Sequence, residues 1–598
     1  MLAALKRFLA SPRAPLIAAL LAVALTTPTL GGGFMGDDYT HRVMFLPEMR
    51  TISSSQGPWD MFRFLDHDRA QLARNMEQGT WPWWTAPDLR LAFFRPLTSL
   101  SHALDYRAWP GHPWLMHAEN VALYGLLALL VGLFYRRLLG PPRPPRATLA
   151  AGIAAVLFAI DDAHAMVVTW IANRNAIVAA TLGVAALLAH DRWRRDGWRP
   201  GAALGPLAFA AALLGGEAAL GALAYLGAHA LWLERSTRDR VRAFLPYAAV
   251  LVVWAIVYRA LGYGASGGGF YLDPIGEPLA FLGALGERLP VLLAGQLAIP
   301  PADLWLLVPD AQRPLVVLVL LAVIALVALL LWITVPRDRT SGFLATGMVL
   351  SLVPVCATWP TDRLLLLSGL GAFGLLAQML TAPREGLGRP ARALVRVAAV
   401  GLVLVHAVVA PLFLPARSLQ LKVLLHDVVE KARASLPPVD SVGGRTLVVV
   451  NMPDPLPTYQ AIAARHVPGA PVPRASHLLS VAVEGSVRVV RTDERTLELT
   501  LGPGFFHEPF SYVYRSPKKP MRLGDRVPVH GMTVEIMEMT PDNARPLRVA
   551  FRFDRALEDP AHVWVTWRRG GYVPFTPPPV GGAVELESTS YLKAGESG

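Results

Sequence analysis

Residues 15–38 read PLIAALLAVALTTPTLGGGFMGDD: an apolar run, a glycine-rich break and two adjacent acids. The run 15–30 has the apolarity and nearly the length of a membrane span. Lys6, Arg7 and Arg13 precede it, as they would a secretory signal. No small-residue cleavage pattern follows, so it reads as an uncleaved first helix with its N-terminus inside. Asp37-Asp38 then stand just beyond its outer end.

The rest of the chain continues in this texture. Of 598 residues, 53% are hydrophobic and 17% charged, with mean hydropathy +0.39. A soluble protein carries about 25% charged residues, so a soluble enzyme and a disordered chain are both excluded. The net charge is +12. Its arginines fall in short clusters between apolar runs, which is the pattern that orients membrane helices rather than one that binds nucleic acid. The single cysteine, Cys356, rules out an intrachain disulfide and a cysteine metal cluster.

Placing every basic cluster inside gives about eleven spans. They are 15–30, 113–135, 147–160, 175–190, two short spans within 202–233 broken at Gly215-Gly216, 243–261, 314–335, 341–358, 362–381 and 397–414. Read as one helix, 202–233 would put Arg235, Arg238, Arg240 and Arg242 outside, so two are preferred. Two external segments exceed plain connectors. The first, 31–112, holds amphipathic pieces at 59–65 and 70–76 and the run Trp81-Pro82-Trp83-Trp84, expected to lie at the water–lipid boundary. The second, 262–313, holds an apolar-rich helix, 278–297, interrupted by Glu287, Arg288 and Pro290. It reads as lying on the outer surface or dipping in.

After residue 414 the pattern changes. A helix over 418–436 ends at Pro437-Pro438. β-like runs follow at 446–450, 486–491, 496–501, 532–539, 547–553 and 562–567, with alternation visible at Met532, Val534 and Ile536 and at Val549, Phe551 and Phe553. The fold class is a polytopic α-helical membrane protein with a C-terminal extracytoplasmic β-rich domain. Its expected parts are a transmembrane domain, 1–415, a helical linker, 416–440, and a β-sandwich-like domain, 441–598.

Asp37-Asp38 are candidates for a general base and an orienting or metal-binding partner, or for a solvated loop. Together with the first span they resemble the membrane glycosyltransferases of GT-C type. Phe94-Arg95-Pro96-Leu97-Thr98-Ser99-Leu100-Ser101 with Ala103-Leu104-Asp105-Tyr106 resembles the YRPLT-x-LS-x-ALDY motif of the TMTC-type family, the transmembrane O-mannosyltransferases and their bacterial relatives. His117 and Asn120 match its H-x-x-N, Trp170-Ile171 and Arg174 its W-I-x-x-R, and Glu217 the acid of its S-K-E. Asp362-Arg363 with Leu365 and Leu367 resembles its E-R-Y-L-Y-L. Gly276-Glu277-Pro278-Leu279 fits its last long external loop. The likeness covers roughly 1–415.

The chain also departs from that family. A β-rich region stands where tetratricopeptide repeats are usual. In the external H-P-x-H-x-E segment His164 is kept, while the glutamate is Met166. The acid after Arg174 is Ala176, and the lysine before Glu217 is Gly216. Acidic function would then move onto Asp161 and Asp162, or activity would be lost.

The resemblance implies an inverting transfer of sugar from a polyprenyl-phosphate donor to a glycan, lipid or protein acceptor outside the cytoplasmic (inner) membrane. Asp37 would deprotonate the acceptor; Asp38 would orient it or hold a divalent cation. Arg363 and Arg174 would bind the donor phosphate, since a planar guanidinium matches phosphate oxygens; each could equally snorkel at the interface. Glu217 is a candidate site residue or a helix-end charge. His117 and His164 are site-lining or core histidines. Arg95 reads more as a loop anchor than as a phosphate ligand. Two other classes remain: a non-catalytic scaffold of the same fold, and a transporter or flippase of lipid-linked sugar, whose polar sites would lie mid-span rather than at helix ends.

Overall fold

The structure, a computed structural model, describes residues 2–45, 57–66, 68–141, 143–465 and 471–589. Among them nine helices are long and apolar enough to cross a membrane: Ala14–Gly31, Pro113–Leu139, Pro145–Thr169, Ile171–Asp196, Thr237–Ala260, Pro278–Leu297, Asp310–Thr334, Arg339–Ala357 and Arg389–Ser435. Gly201–Gly215 and Ser368–Thr381 are shorter apolar helices. The chain is a membrane-type helical bundle followed by a β-rich region.

The bundle has two unlike faces. On one, arginines at the helix ends hold acids of neighbouring helices: Arg137 with Asp191 at 2.7 Å, Arg194 with Glu234 at 2.7 Å and Arg143 with Asp338 at 3.1 Å. The opposite face gathers Asp37, Arg95, Glu217 and Arg363. The stretch read as two short spans is indeed broken. Gly201–Gly215 is followed by the tight turn Glu217–Ala219 and the helix Leu220–Trp232. Gly216 backs onto Asn175 near one end of Ile171–Asp196, while His229 meets Asp191 near its other end. The two short helices therefore run out and back.

Pro278–Leu297 enters and leaves on the same face of the bundle, despite its length. Ahead of it Asp273 pairs with Arg259, 2.6 Å, at the end of Thr237–Ala260, and Tyr271 bridges to Thr358. After it Arg313 lies over the rings of Trp305 and Trp359.

The last span does not stop at 414. Arg389–Ser435 is one helix of 47 residues, about 70 Å long at 1.5 Å per residue. The expected junction at 415, between the membrane domain and the helical linker, falls inside this helix. Pro411 and Pro415 do not break the helix. A wider π turn, Leu404–Val409, lies directly before them and leaves room for rings that carry no N–H. The helix thus carries the chain from the bundle into the β-rich region without a hinge loop.

That region has two sheets. Six antiparallel strands, 487–491, 496–501, 526–529, 532–539, 546–553 and 583–586, form one. The other is mixed: Thr446–Met452 pairs in parallel with both Ala475–Val481 and His562–Arg568, and Gly571–Pro574 closes its edge. The crossover helix Pro455–Arg465 joins the two parallel strands Thr446–Met452 and Ala475–Val481. A parallel pair needs such a connection.

Both sheets share one apolar core with the first long loop, including Phe34, Met61, Trp83 and Trp84. The Trp run therefore does not lie at a lipid boundary. Trp83 and Trp84 are 2% and 1% exposed, and Trp83 donates its indole N–H to Leu479 O at 3.2 Å. Residues 63–65 form a strand rather than part of a surface helix, while Arg69–Gln78 is helical and capped by Asp68.

Candidate functional site

Gly36 sits at φ 52°, a left-handed conformation that glycine adopts without penalty. A Cβ there would come within 3.1 Å of the Trp170 ring. Trp170 donates its indole N–H to Met35 O, 3.0 Å, so the turn is pinned from both sides. The helix Asp37–Val43 starts directly after it, and the two acids part company.

Asp38 turns inward and is fully buried. Its Oδ2 accepts from Met35 N–H at 2.9 Å and its Oδ1 from Ala172 N–H at 2.7 Å. Burial pushes its pKa well above the carboxylate range, and these two amides oppose that. Both oxygens are committed to backbone, so Asp38 staples the turn to the segment before Arg174. Its expected duty as acceptor guide or cation ligand is not carried by this position.

Asp37 faces a cavity of about 1600 Å³ that lies between the bundle and the β-rich region. Among the described residues its carboxylate makes no hydrogen bond and no ion pair. Burial pushes its pKa up to about 6, while the charges of Arg363 and Arg95 pull it down. An acid held near neutrality on a cavity wall is poised to take a proton.

Arg363 lines the same cavity, with its guanidinium over the Trp170 ring at 5.6 Å and no carboxylate partner among the described residues. Arg95 also lines it. Its Nε donates to Glu217 Oε2 at 2.7 Å, and its head lies over the rings of Phe62 and Phe93. Tyr258 O–H donates to the other Glu217 oxygen at 3.4 Å. Asp37, Arg95, Glu217 and Arg363 thus converge on one cavity wall.

The other candidates lie elsewhere. Arg174 is 1% exposed. It bonds Asp105 Oδ2 at 2.6 Å, Asn120 Oδ1 at 2.7 Å and Met116 O at 3.0 Å, with Glu119 at 2.9 Å. Every face of its fork is taken up inside the protein, so it holds helices together rather than presenting a donor-phosphate ligand. His117 Nε2 is bonded to Gly33 O at 2.9 Å and His164 Nδ1 to the Tyr124 hydroxyl at 2.8 Å; both are core histidines. Asp161 is buried beside His164, its Oδ1 capping the turn at Ala163. Asp162 accepts from Arg417 at 3.0 Å. None of these five lines the cavity.

Arg417 and Asp303 were not read from the sequence. Arg417, on the long helix, gathers Asp162, Asp362 at 2.7 Å, and Asp303. Asp362 Oδ1 accepts from Ala302 N–H at 2.6 Å, and Asp303 Oδ1 from Asp362 N–H at 3.0 Å. Burial, with the charge of Asp303 added, pushes Asp362 upward against the pull of Arg417. This network fixes the turn Asp362–Leu364 that carries Arg363.

The cavity carboxylates do not compose a cation site. Among the described residues no three of Asp37, Glu217, Asp273 and Asp303 bring ligand atoms within 4.8 Å of one another, and a hard divalent ion takes several oxygen ligands. The far wall comes from the β-rich region and mixes Leu456, Tyr459, Ile462 and Tyr514 with Arg465 and Arg474.

No protein-family model matches the chain, and no curated protein matches it in sequence. Among solved structures it is similar to the oligosaccharyltransferase of Archaeoglobus fulgidus tethered to an acceptor peptide, at 13% identity and a TM-score of 0.34. The likeness covers 78% of this chain and 64% of that one, so the chain spans less than two thirds of that protein's length.

Proposed function

We propose that this chain is a membrane glycosyltransferase of GT-C type that moves a sugar from a polyprenyl-phosphate donor to an acceptor hydroxyl or amide. The observation that carries the reading is Asp37: an unpaired carboxylate on a large cavity wall, in the field of two arginines. Asp37 takes the acceptor proton as the acceptor atom attacks the anomeric carbon. The bond from that carbon to the phosphate oxygen breaks, with inversion, and the phosphate leaves as an anion. Arg363 meets that anion with a fork that no carboxylate occupies, and the growing charge is stabilised where the group already stands. Arg95 and Glu217 form a fixed pair beside it that orients donor or acceptor hydroxyls. The chemistry rests on these side chains, since among the described residues the cavity carboxylates do not gather as a cation site requires.

The positive-inside rule supports an orientation with the arginine-rich face in the cytoplasm. The cavity and the β-rich region then lie outside, where polyprenyl-linked sugars are consumed. The test compares envelope and periplasmic glycans by mass spectrometry in a deletion strain complemented with wild type or with Arg363→Lys. The deletion should lose a glycan species that wild type restores. Arg363→Lys should restore it poorly, since a point charge replaces a planar fork. An unchanged profile in the deletion, with expression confirmed in the parent, would contradict the transferase reading.

A further inference from the structure

The arginine-rich face holds a second cluster that the transfer site does not use. His190 is sixteen residues beyond Arg174 on the same helix, about 24 Å away along its axis. His190 and His229 are fully buried with ring centroids 4.5 Å apart and planes at 81°. His229 Nε2 lies 3.3 Å from Asp191 Oδ1. A carboxylate only accepts, so Nε2 is the donor and Nδ1 keeps its lone pair. That Nδ1 has no hydrogen-bond partner and points toward Glu234 Oε1 at 3.9 Å. His190 is bonded through Nδ1 to the Tyr247 hydroxyl at 3.1 Å, and its Nε2 also has no partner. His190, His229 and Glu234 each bring one ligand atom to within 4.8 Å of the others. Two buried imidazole nitrogens and a carboxylate oxygen thus face one another, with no proton donor between His229 and Glu234 at bonding distance.

We propose that His190, His229 and Glu234 bind a divalent transition-metal ion of the zinc class. Two imidazoles and one carboxylate are a zinc donor set, with a fourth position left for water. Two ligands on a tetrahedral ion at about 2.0 Å lie roughly 3.3 Å apart, so the 3.9 Å gap from His229 to Glu234, and the separations of up to 4.8 Å within the set, close as the side chains draw in around the ion. The surroundings are those of a built site. Asp191 orients His229, Tyr247 orients His190, and Arg194 grips Glu234 through two bonds at 2.7 and 2.8 Å. Such partners fix the ring orientation and tautomer of metal-binding histidines. In the ion pairs around the cluster, Asp191, Asp196, Glu234 and Asp239 pair with Arg137, Arg194 and Arg195. The ion would join Ile171–Asp196, Leu220–Trp232 and the turn after it, closing the bundle at the end opposite the cavity.

The test uses full-length protein in detergent, stripped with a chelator and dialysed against Zn²⁺ alone, with metal content read by mass spectrometry. Wild type should retain about one zinc per chain, and Co²⁺ in its place should give the visible bands of a tetrahedral site. His229→Gln should lose the metal. Tyr247→Phe, which removes only an orienting hydroxyl, should weaken affinity by about 10–100-fold. Wild type that retains no zinc overturns the proposal, as does stoichiometric zinc in His229→Gln. Neither readout depends on sugar transfer, so this proposal and the transferase reading fail separately.

Discussion

Asp37 and Asp38 are neighbours in sequence and opposites in environment. The helix that starts at Asp37 turns one carboxylate onto two backbone amides and leaves the other on the cavity wall. Burial lifts Asp37 from the ordinary 3.8 to about 6. The protonated form is therefore favoured in the folded protein. Stability from this group is greatest below pH 4 and declines as pH rises through 6, by about 3 kcal/mol if the whole difference is felt. Asp37→Asn removes that cost. Its thermal midpoint at pH 8 should equal or exceed that of wild type, whereas at pH 4 the two should agree. In wild type, transfer should rise with pH across 6, because only the carboxylate can take a proton. A midpoint several degrees below wild type at pH 8 would show that Asp37 carries a stabilising contact and is not an isolated acid.

The elements around the site differ in how plainly they could be read. The spans were legible because hydropathy runs of near-membrane length are a strong signal and arginine clusters sort their ends. The break at Gly215-Gly216 followed from charge alone. What escaped reading depends on contacts far apart in sequence. Arg417 stands 55 residues from Asp362 and 255 from Asp162, in a stretch that looks like the frayed end of a span. The π turns Leu404–Val409 and Lys422–Asp427 show how the helix continues past Pro411 and Pro415. Arg174 was read as a phosphate ligand because a lone arginine at a helix end looks free; Asp105, Asn120 and Glu119, which consume it, lie 54 to 69 residues away. Its role can be measured. Arg174→Met leaves Asp105 buried without its partner, which should destabilise the protein by about 3–5 kcal/mol. Arg363→Met should change stability little, because no ion pair is lost. Equal thermal midpoints for the two variants would contradict this division between structural and site arginines.

On the scale of the whole molecule, bundle and β-rich region make one cavity between them. The crossover helix Pro455–Arg465 supplies part of its far wall, yet its two prolines in four residues hid it from any reading of helix or strand periodicity. The region is fixed by the Trp83 bond to Leu479, by Arg515 donating to Trp84 O at 2.7 Å, and by the unbroken helix from the bundle. The chemistry proposed for this cavity should rest on Asp37, the one free acid that the described residues place on its wall. The direct measurement is transfer by purified protein from a pool of polyprenyl-linked sugars extracted from its own membranes, comparing wild type with Asp37→Asn at pH 8. Asp37→Asn, folded and at least as stable as wild type, should transfer about 10²–10⁴-fold more slowly. Transfer by Asp37→Asn at the wild-type rate would contradict Asp37 as the base.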